Sequence, residues 1–220
     1  MDVTEAVQNW RSIRKYKDEA VPDEKIMKVL EAGRRAPSWE NVQPWRFVVI
    51  RDDAMKKNLL KLSKQKFVAR APVAIGVCGD LEAWDKPKNK EALMELAEHG
   101  VMKVTEEIID NVMLQDPMFC VAENGPAMIL ARTFEQLGIA YGFMALEAVN
   151  QGLGMCIVGA FNNDVMQQKD DFYKEVRDGL GLPEKTYLLA LLTIGVPDQD
   201  PKARPRKPLE NIAFSEKFGQ

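Results

Sequence analysis

The sequence predicts a layered α/β architecture, a sheet flanked by helices, and three observations predict it. Short β-branched or apolar runs recur between stretches with helical spacing. Hydrophobic residues make up 46% of the 220-residue chain, enough for a substantial core and for one domain over 1–220. Neither an internal repeat nor a low-complexity tract interrupts the pattern.

Each element has its own signal. Thr4 precedes a helical stretch, Glu5 to Arg11, that could run on to Lys15. Pro22-Asp23 starts a clearer helix with Ile26, Val29, Leu30 and Ala36 at helical spacing, ended by Pro37. The segment Pro37 to Pro44 is expected to be a loop, and Arg46 to Arg51 has strand composition. A helix over about Ala54 to Leu62 leads to a strand around Val73 to Cys78. Leu81 to Gly125 is charged, predicted helical and without a strand signal. The apolar stretch Ala127 to Leu153 is broken by Arg132, Glu135 and Glu147, so it reads as a buried helix and not as a membrane span. A short strand, Met155 to Val158, a polar helix, Asp164 to Gly179, and a central strand, Tyr187 to Gly195, follow. The tail from Pro197 to Gln220 carries Pro201, Pro205 and Pro208 and is expected to be extended.

Charge and cysteine usage exclude several functions. A net charge of -3 argues against general nucleic-acid binding. Three dispersed cysteines and the single His99 offer neither a disulfide framework nor a zinc site, so no metal is expected and a reducing, cytoplasmic setting is. The charged N-terminus lacks the apolar core of a signal peptide. With one histidine on a charged helix, a hydrolytic triad is not expected.

Four local patterns could carry chemistry. Arg11, Ser12, Arg14 and Lys15 form a basic cluster in which positions 11 and 14, one helical turn apart, could face one phosphate; a solvated helix end is the alternative. Arg204, Arg206 and Lys207 form another, where alternate residues of an extended segment point the same way and 204 and 206 could share a ligand; a solvated tail is the simpler reading. In Ala36 to Trp45 two prolines fix a loop offering Ser38, Asn41 and Gln43, suited to the polar edge of an aromatic ring system or to a capped turn. Gly152, Gly154 and Gly159 surround the short strand without forming a dinucleotide fingerprint; they suit a helix cap and close approach of a ligand to the backbone.

Taken in order, these segments resemble the nitroreductase family. The resemblance runs through Arg11-Ser12-Ile13-Arg14-Lys15-Tyr16, Val21-Pro22, Ala36-Pro37-Ser38, Asn41 and Gln43-Pro44-Trp45. It continues through Ala71-Pro72-Val73, Gly152 to Gly159, Leu182-Pro183, Ile194-Gly195-Val196-Pro197 and Arg204 to Glu210. About Leu81 to Gly125 stands outside it, as an excursion or lid. The resemblance implies an α+β fold, a mixed sheet flanked by helices, in an intertwined homodimer with two FMN sites at the interface. It implies that Arg11, Ser12 and Arg14 hold the phosphate and the pyrimidine edge. Pro37, Ser38 and Asn41 would line the ring, one wall coming from the partner. Ile157, Val158 and Gly159 would face the flavin near N5 through their backbone, and Arg204 and Arg206 would complete the phosphate clamp. The implied activity is transfer of reducing equivalents from NADH or NADPH to a flat, electron-poor aromatic acceptor such as a nitroaromatic or quinone. Arg14 would stabilise the negative charge of the reduced ring. The alternatives are a flavin-holding storage or sensing protein, or a dehalogenating or flavin-fragmenting relative. Two departures stand out: Trp10 where the family often has a basic residue, and Tyr141-Gly142-Phe143 where many relatives carry Gln-Asn.

Overall fold

The computed structural model describes residues 1–161 and 171–219, and its centre is a four-stranded sheet of order β1-β2-β4-β3. The strands are β1 (Trp45–Ile50), β2 (Val73–Asp80), β3 (Gly154–Val158) and β4 (Thr186–Gly195), each pairing antiparallel with its neighbour. Among the described residues, the expected mixed character survives only at one margin, where Ser12 forms a parallel bridge with Met155.

Alternation along the strands builds a core on each face. Val73, Ile75 and Val77 of β2 face one side with Met155, Leu192 and Ile194. Ala74 and Cys78 face the other with Cys156, Val158, Leu188 and Leu191. A register shift at Val77/Cys78 pairs Val77 with Ala190 and Cys78 with Leu188. That bulge lets the consecutive residues Leu189 and Ala190 both face the first core.

Helices cover both faces. On the first lie α1 (Val3–Asn9), α2 (Asp23–Arg34) and the long α7 (Pro126–Asn150). Helix α7 contributes Leu137, Ala140, Met144, Ala145 and Ala148 to the core, as expected of a buried helix. It ends at Asn150, and beyond it Gly152, with a φ of 71°, and a bond from Leu153 N to Ala148 O close the last turn. The second face is covered by α3 (Asp53–Ser63), the short α4 (Lys66–Arg70) and α8 (Asp171–Gly179), contributing Leu59, Leu62, Val68, Tyr173 and Val176. The part of the expected polar helix that precedes Asp171 lies outside the described residues.

The excursion, 81–125, is helical as expected. It contains α5 (Lys86–Glu98) and α6 (Glu106–Asn111), with short 3₁₀ turns before α5 and after α6. It has its own core of Leu93, Ile109, Met113, Leu114 and Cys120. Trp84, 1% exposed, ties it to α7 by donating its indole N–H to Thr133 Oγ1 at 2.9 Å. No helix among the described residues is long and apolar enough to cross a membrane.

Candidate active site

The basic residues near the N-terminus do not sit on a helix. Helix α1 ends at Asn9, and Trp10 is already extended, with φ -61° and ψ 128°. The strand margin takes over: Ile13 N donates to Met155 O at 2.9 Å, Lys17 N to Val196 O at 2.9 Å, and Tyr16 bridges to Pro197. The helical-turn argument for Arg11 and Arg14 is therefore replaced by an extended segment laid along β3 and the end of β4. Two glycines make that approach possible. A Cβ on Gly154 would stand 2.7 Å from Ile13 Cγ2, and one on Gly195 2.7 Å from Tyr16 Cδ1 and Pro72 Cδ. The close approach at Gly154 is thus made by Ile13 of the same chain instead of by a ligand.

This docking brings the two basic clusters together. A cavity of about 80 Å³ is lined by Trp10, Arg11, Ser12, Arg14, Gln199, Pro201, Lys202, Arg204 and Arg206. The tail is held there by Asp198 N, which donates to Lys15 O at 3.0 Å, and by the ion pair Lys15–Asp198 at 2.6 Å. Sequence reasoning missed Lys202, although its spacing from Arg204 and Arg206 is the alternation of an extended segment. The same parity leaves Lys207 out of the lining.

Among the described residues, the hydrogen bonds of the guanidinium groups here go to backbone carbonyls. Arg11 donates to Gln8 O at 2.6 Å and Trp10 O at 2.8 Å, Arg14 to Ser12 O at 3.4 Å, and Arg206 to Arg204 O at 3.3 Å. Among the described residues no carboxylate pairs with Arg11, Arg14, Arg204 or Arg206, so their charges accumulate around one small space. Converging guanidiniums with a serine hydroxyl are the donor set of a phosphate site. The cavity has room for a phosphate group.

Behind the cluster lie two groups that the sequence did not flag. The Arg14 guanidinium stands 5.7 Å from the centroid of Phe67, on α4. Cys156 is buried beside it; burial raises its thiol pKa, opposed by the Arg14 charge and a hydrogen bond with Ser12. A five-residue helix is too short for periodicity to reveal, so nothing marked Phe67 in advance.

The other expected ring contacts lie elsewhere. Pro37, Ser38 and Asn41 line a cavity of about 480 Å³ together with Trp39, Glu40, Leu96, Met102, Met113 and Phe119. It has no lining residue in common with the arginine cavity. The loop is a tight, capped turn: Gln43 N donates to Ser38 Oγ at 3.0 Å, and Glu40, Asn41 and Gln43 all have φ between 45° and 58°. Trp39 anchors it, donating its backbone N–H to Gln136 Oε1 at 2.9 Å and its indole N–H to Phe119 O at 3.2 Å. Ile157 is half-buried, Val158 buried and Gly159 exposed with open space around its Cα; neither cavity includes them. No group of metal-binding side chains occurs among the described residues, and His99 is exposed at the end of α5.

Comparison with known proteins identifies the family. The family model described as "Nitroreductase family" matches residues 7–196. The chain is 32% identical over 218 residues to a protein named NADH dehydrogenase from Thermus thermophilus, covering 97% of this chain and 96% of that one. It is 28% identical over 218 residues to a protein named FMN reductase [NAD(P)H] from Bacillus subtilis, covering 99% and 74%. A nitroreductase structure from Exiguobacterium sibiricum in complex with FMN superposes with a TM-score of 0.77 at 26% identity, covering 98% of both chains. The order of motifs, the sheet with its docked N-terminal segment, and a match over most of the chain lead to one conclusion: this protein belongs to the nitroreductase family.

Proposed function

We propose that the protein is an FMN-dependent oxidoreductase that passes reducing equivalents from NADH or NADPH to a flat, electron-poor acceptor such as a nitroaromatic or a quinone. The observation that carries this reading is the meeting of Arg11, Ser12, Arg14, Arg204 and Arg206 around one phosphate-sized space, with no carboxylate neutralising the arginines among the described residues. These side chains hold the cofactor phosphate, Lys202 adding a sixth polar group. When bound, FMN supplies the two-electron chemistry, accepting hydride from the nicotinamide and returning reducing equivalents to the acceptor. Arg14, braced against Phe67, contributes the fixed positive charge that favours the electron-rich form of the ring. Ile157, Val158 and Gly159 offer backbone at the end of β3, where Gly159 leaves room for close approach.

The ring wall formed by Pro37, Ser38 and Asn41 comes from a second copy of the chain, because within one copy that loop opens on a different cavity from the arginines. A homodimer is also favoured by the apolar surface: Val3, Val7, Phe143, Leu209, Ile212 and Phe218 are all more than two-fifths exposed. Its three cysteines are unpaired, which suits the reducing cytoplasm.

The purified protein is expected to be yellow, to release FMN and not FAD on heating, and to bleach on addition of NADH or NADPH. Arg11→Ala and Arg206→Ala should each weaken FMN binding by roughly ten- to hundred-fold, as a charge-assisted phosphate contact predicts. A chain that stays colourless after FMN is added overturns the assignment. A flavin that is held but never bleached points to storage or sensing instead.

A further inference from the structure

Glu40 occupies an unusual position in the loop above the larger cavity. Its backbone is left-handed, with φ 47° and ψ 27°, in a residue that has a Cβ. One carboxyl oxygen, Oε2, accepts a hydrogen bond from Asn89 Nδ2 at 2.8 Å. The other, Oε1, is buried and has no partner. Asn89 is itself only 2% exposed and lies on α5, in the excursion. The bond therefore joins the two walls of the cavity: the Pro37–Asn41 loop on one side and the excursion on the other.

We propose that the Glu40–Asn89 pair is a clasp that holds the excursion against the Pro37–Asn41 loop, and that Glu40 thereby sets which acceptors the cavity admits. The proposal rests on the oxidoreductase reading and adds the residue that governs selectivity. It makes Glu40 a positioning residue, acting through the wall it holds.

The charges around the pair make the clasp sensitive to protonation. Burial raises the Glu40 pKa, against the opposing hydrogen bond from Asn89. No cation relieves it among the described residues. On α5, Lys86 is paired with Glu123 and Lys90 with Glu106 and Asp110. On α7, Arg132 pairs with Glu135 and lies over the Trp39 ring. A neutral carboxyl can stay in place with Oε2 bonded, whereas an ionised one leaves charge on the buried, unpartnered Oε1. Ionisation therefore drives the loop to bring Oε1 to water, and the clasp loosens as pH rises through the raised value. Discrimination against bulky acceptors is strongest on the acid side and relaxes on the alkaline side.

The test uses FMN-loaded protein and a small and a bulky quinone as probes. Glu40→Ala and Asn89→Ala should each change the ratio of kcat/KM for the two quinones by roughly three- to ten-fold, the worth of one hydrogen bond. Glu40→Gln keeps an acceptor for Asn89 and cannot ionise. It should retain the selectivity of the parent at low pH and lose the pH dependence of the ratio. Amide hydrogen exchange at 37–43, measured without any acceptor, should rise with pH in the parent and stay flat in Glu40→Gln. An unchanged quinone ratio in both alanine variants, or a pH profile shared by parent and Glu40→Gln, overturns the clasp while leaving the flavin reading intact. Failure of the parent to hold FMN removes the underlying function instead.

Discussion

Tyr16 shows how a single side chain locks the phosphate-side segment in place. Its hydroxyl lies 2.6 Å from Ile13 O, to which it donates, and 2.7 Å from Thr193 Oγ1, which can donate in return. Burial raises the Tyr16 pKa, and the hydrogen bond with Thr193 only partly offsets this. Tyr16→Phe should destabilise the protein by about 1–2 kcal/mol, because Ile13 O and Thr193 lose a partner. The pH dependence follows from the sign of the shift. Below the ordinary tyrosine value of roughly 10 the hydroxyl is neutral in folded and unfolded chains alike. Above it the unfolded chain releases the proton first, so stability falls with rising pH. Urea unfolding of parent and Tyr16→Phe at about pH 8 and about pH 10.5 should show a gap that narrows at the higher pH. A gap that widens would mean that the folded protein stabilises the tyrosinate.

At the scale of elements, Gly154 marks where the N-terminal segment is docked on the sheet. Substituting alanine places a methyl group against Cβ, Cγ1 and Cγ2 of Ile13 at 2.7–2.8 Å, so the segment must lift from β3. Gly154→Ala should cost about 1–3 kcal/mol, the range for overpacking a close contact, and should weaken FMN binding because Ser12 and Arg14 ride on that segment. Gly159→Ala is the control: nothing lies within 4 Å of its added Cβ, so stability should change by no more than about 0.5 kcal/mol. Equal destabilisation by the two, measured by denaturant titration, would show that the docked segment is not what Gly154 serves.

The same elements show what a sequence carries and what it does not. Helix α2 and strand β4 were legible because their patterns are local: Ile26 and Val29 at helical spacing, and an unbroken apolar run over Tyr187–Gly195. The extended course of Arg11–Tyr16 was not, because the spacing of Arg11 and Arg14 suits a helical turn, and the partner that decides the matter is Met155 on β3. The residue types around the phosphate-sized cavity were legible, and Lys202 shares the alternation of Arg204 and Arg206, while Phe67 and Cys156 back it only through tertiary packing. The methionines of the excursion divide in the same way. Met113 is buried in its private core and Met118 is 72% exposed, a difference composition does not encode.

For the whole molecule, the C-terminal tail gives the sharpest test of assembly. Beyond Pro208 every described residue is exposed, including Leu209 at 70%, Ile212 at 60% and Phe218 at 92%. Phe214 and Phe218 pack against each other with centroids 4.6 Å apart and ring planes tilted by 54°, and neither belongs to the three cores. A tail rich in apolar side chains that joins none of the three cores has a strong hydrophobic reason to cover a second copy, since each buried large side chain contributes about 1.5–3 kcal/mol. The basic residues Arg204 and Arg206 precede it and line the same cavity as the N-terminal segment, so removal of 208–220 spares the arginine cluster. The truncated chain should keep its circular dichroism and helix content, because the three cores contain no residue from the tail. If the ring wall comes from the partner as proposed, the truncated dimer should dissociate at concentrations where the full chain remains paired, and FMN should be lost in step with dissociation. Analytical ultracentrifugation with absorbance read at the flavin band reports both quantities at once. A truncated chain that dimerises as tightly as the parent removes the tail from the interface. A full chain that sediments as a monomer with FMN bound removes the second copy from the site altogether.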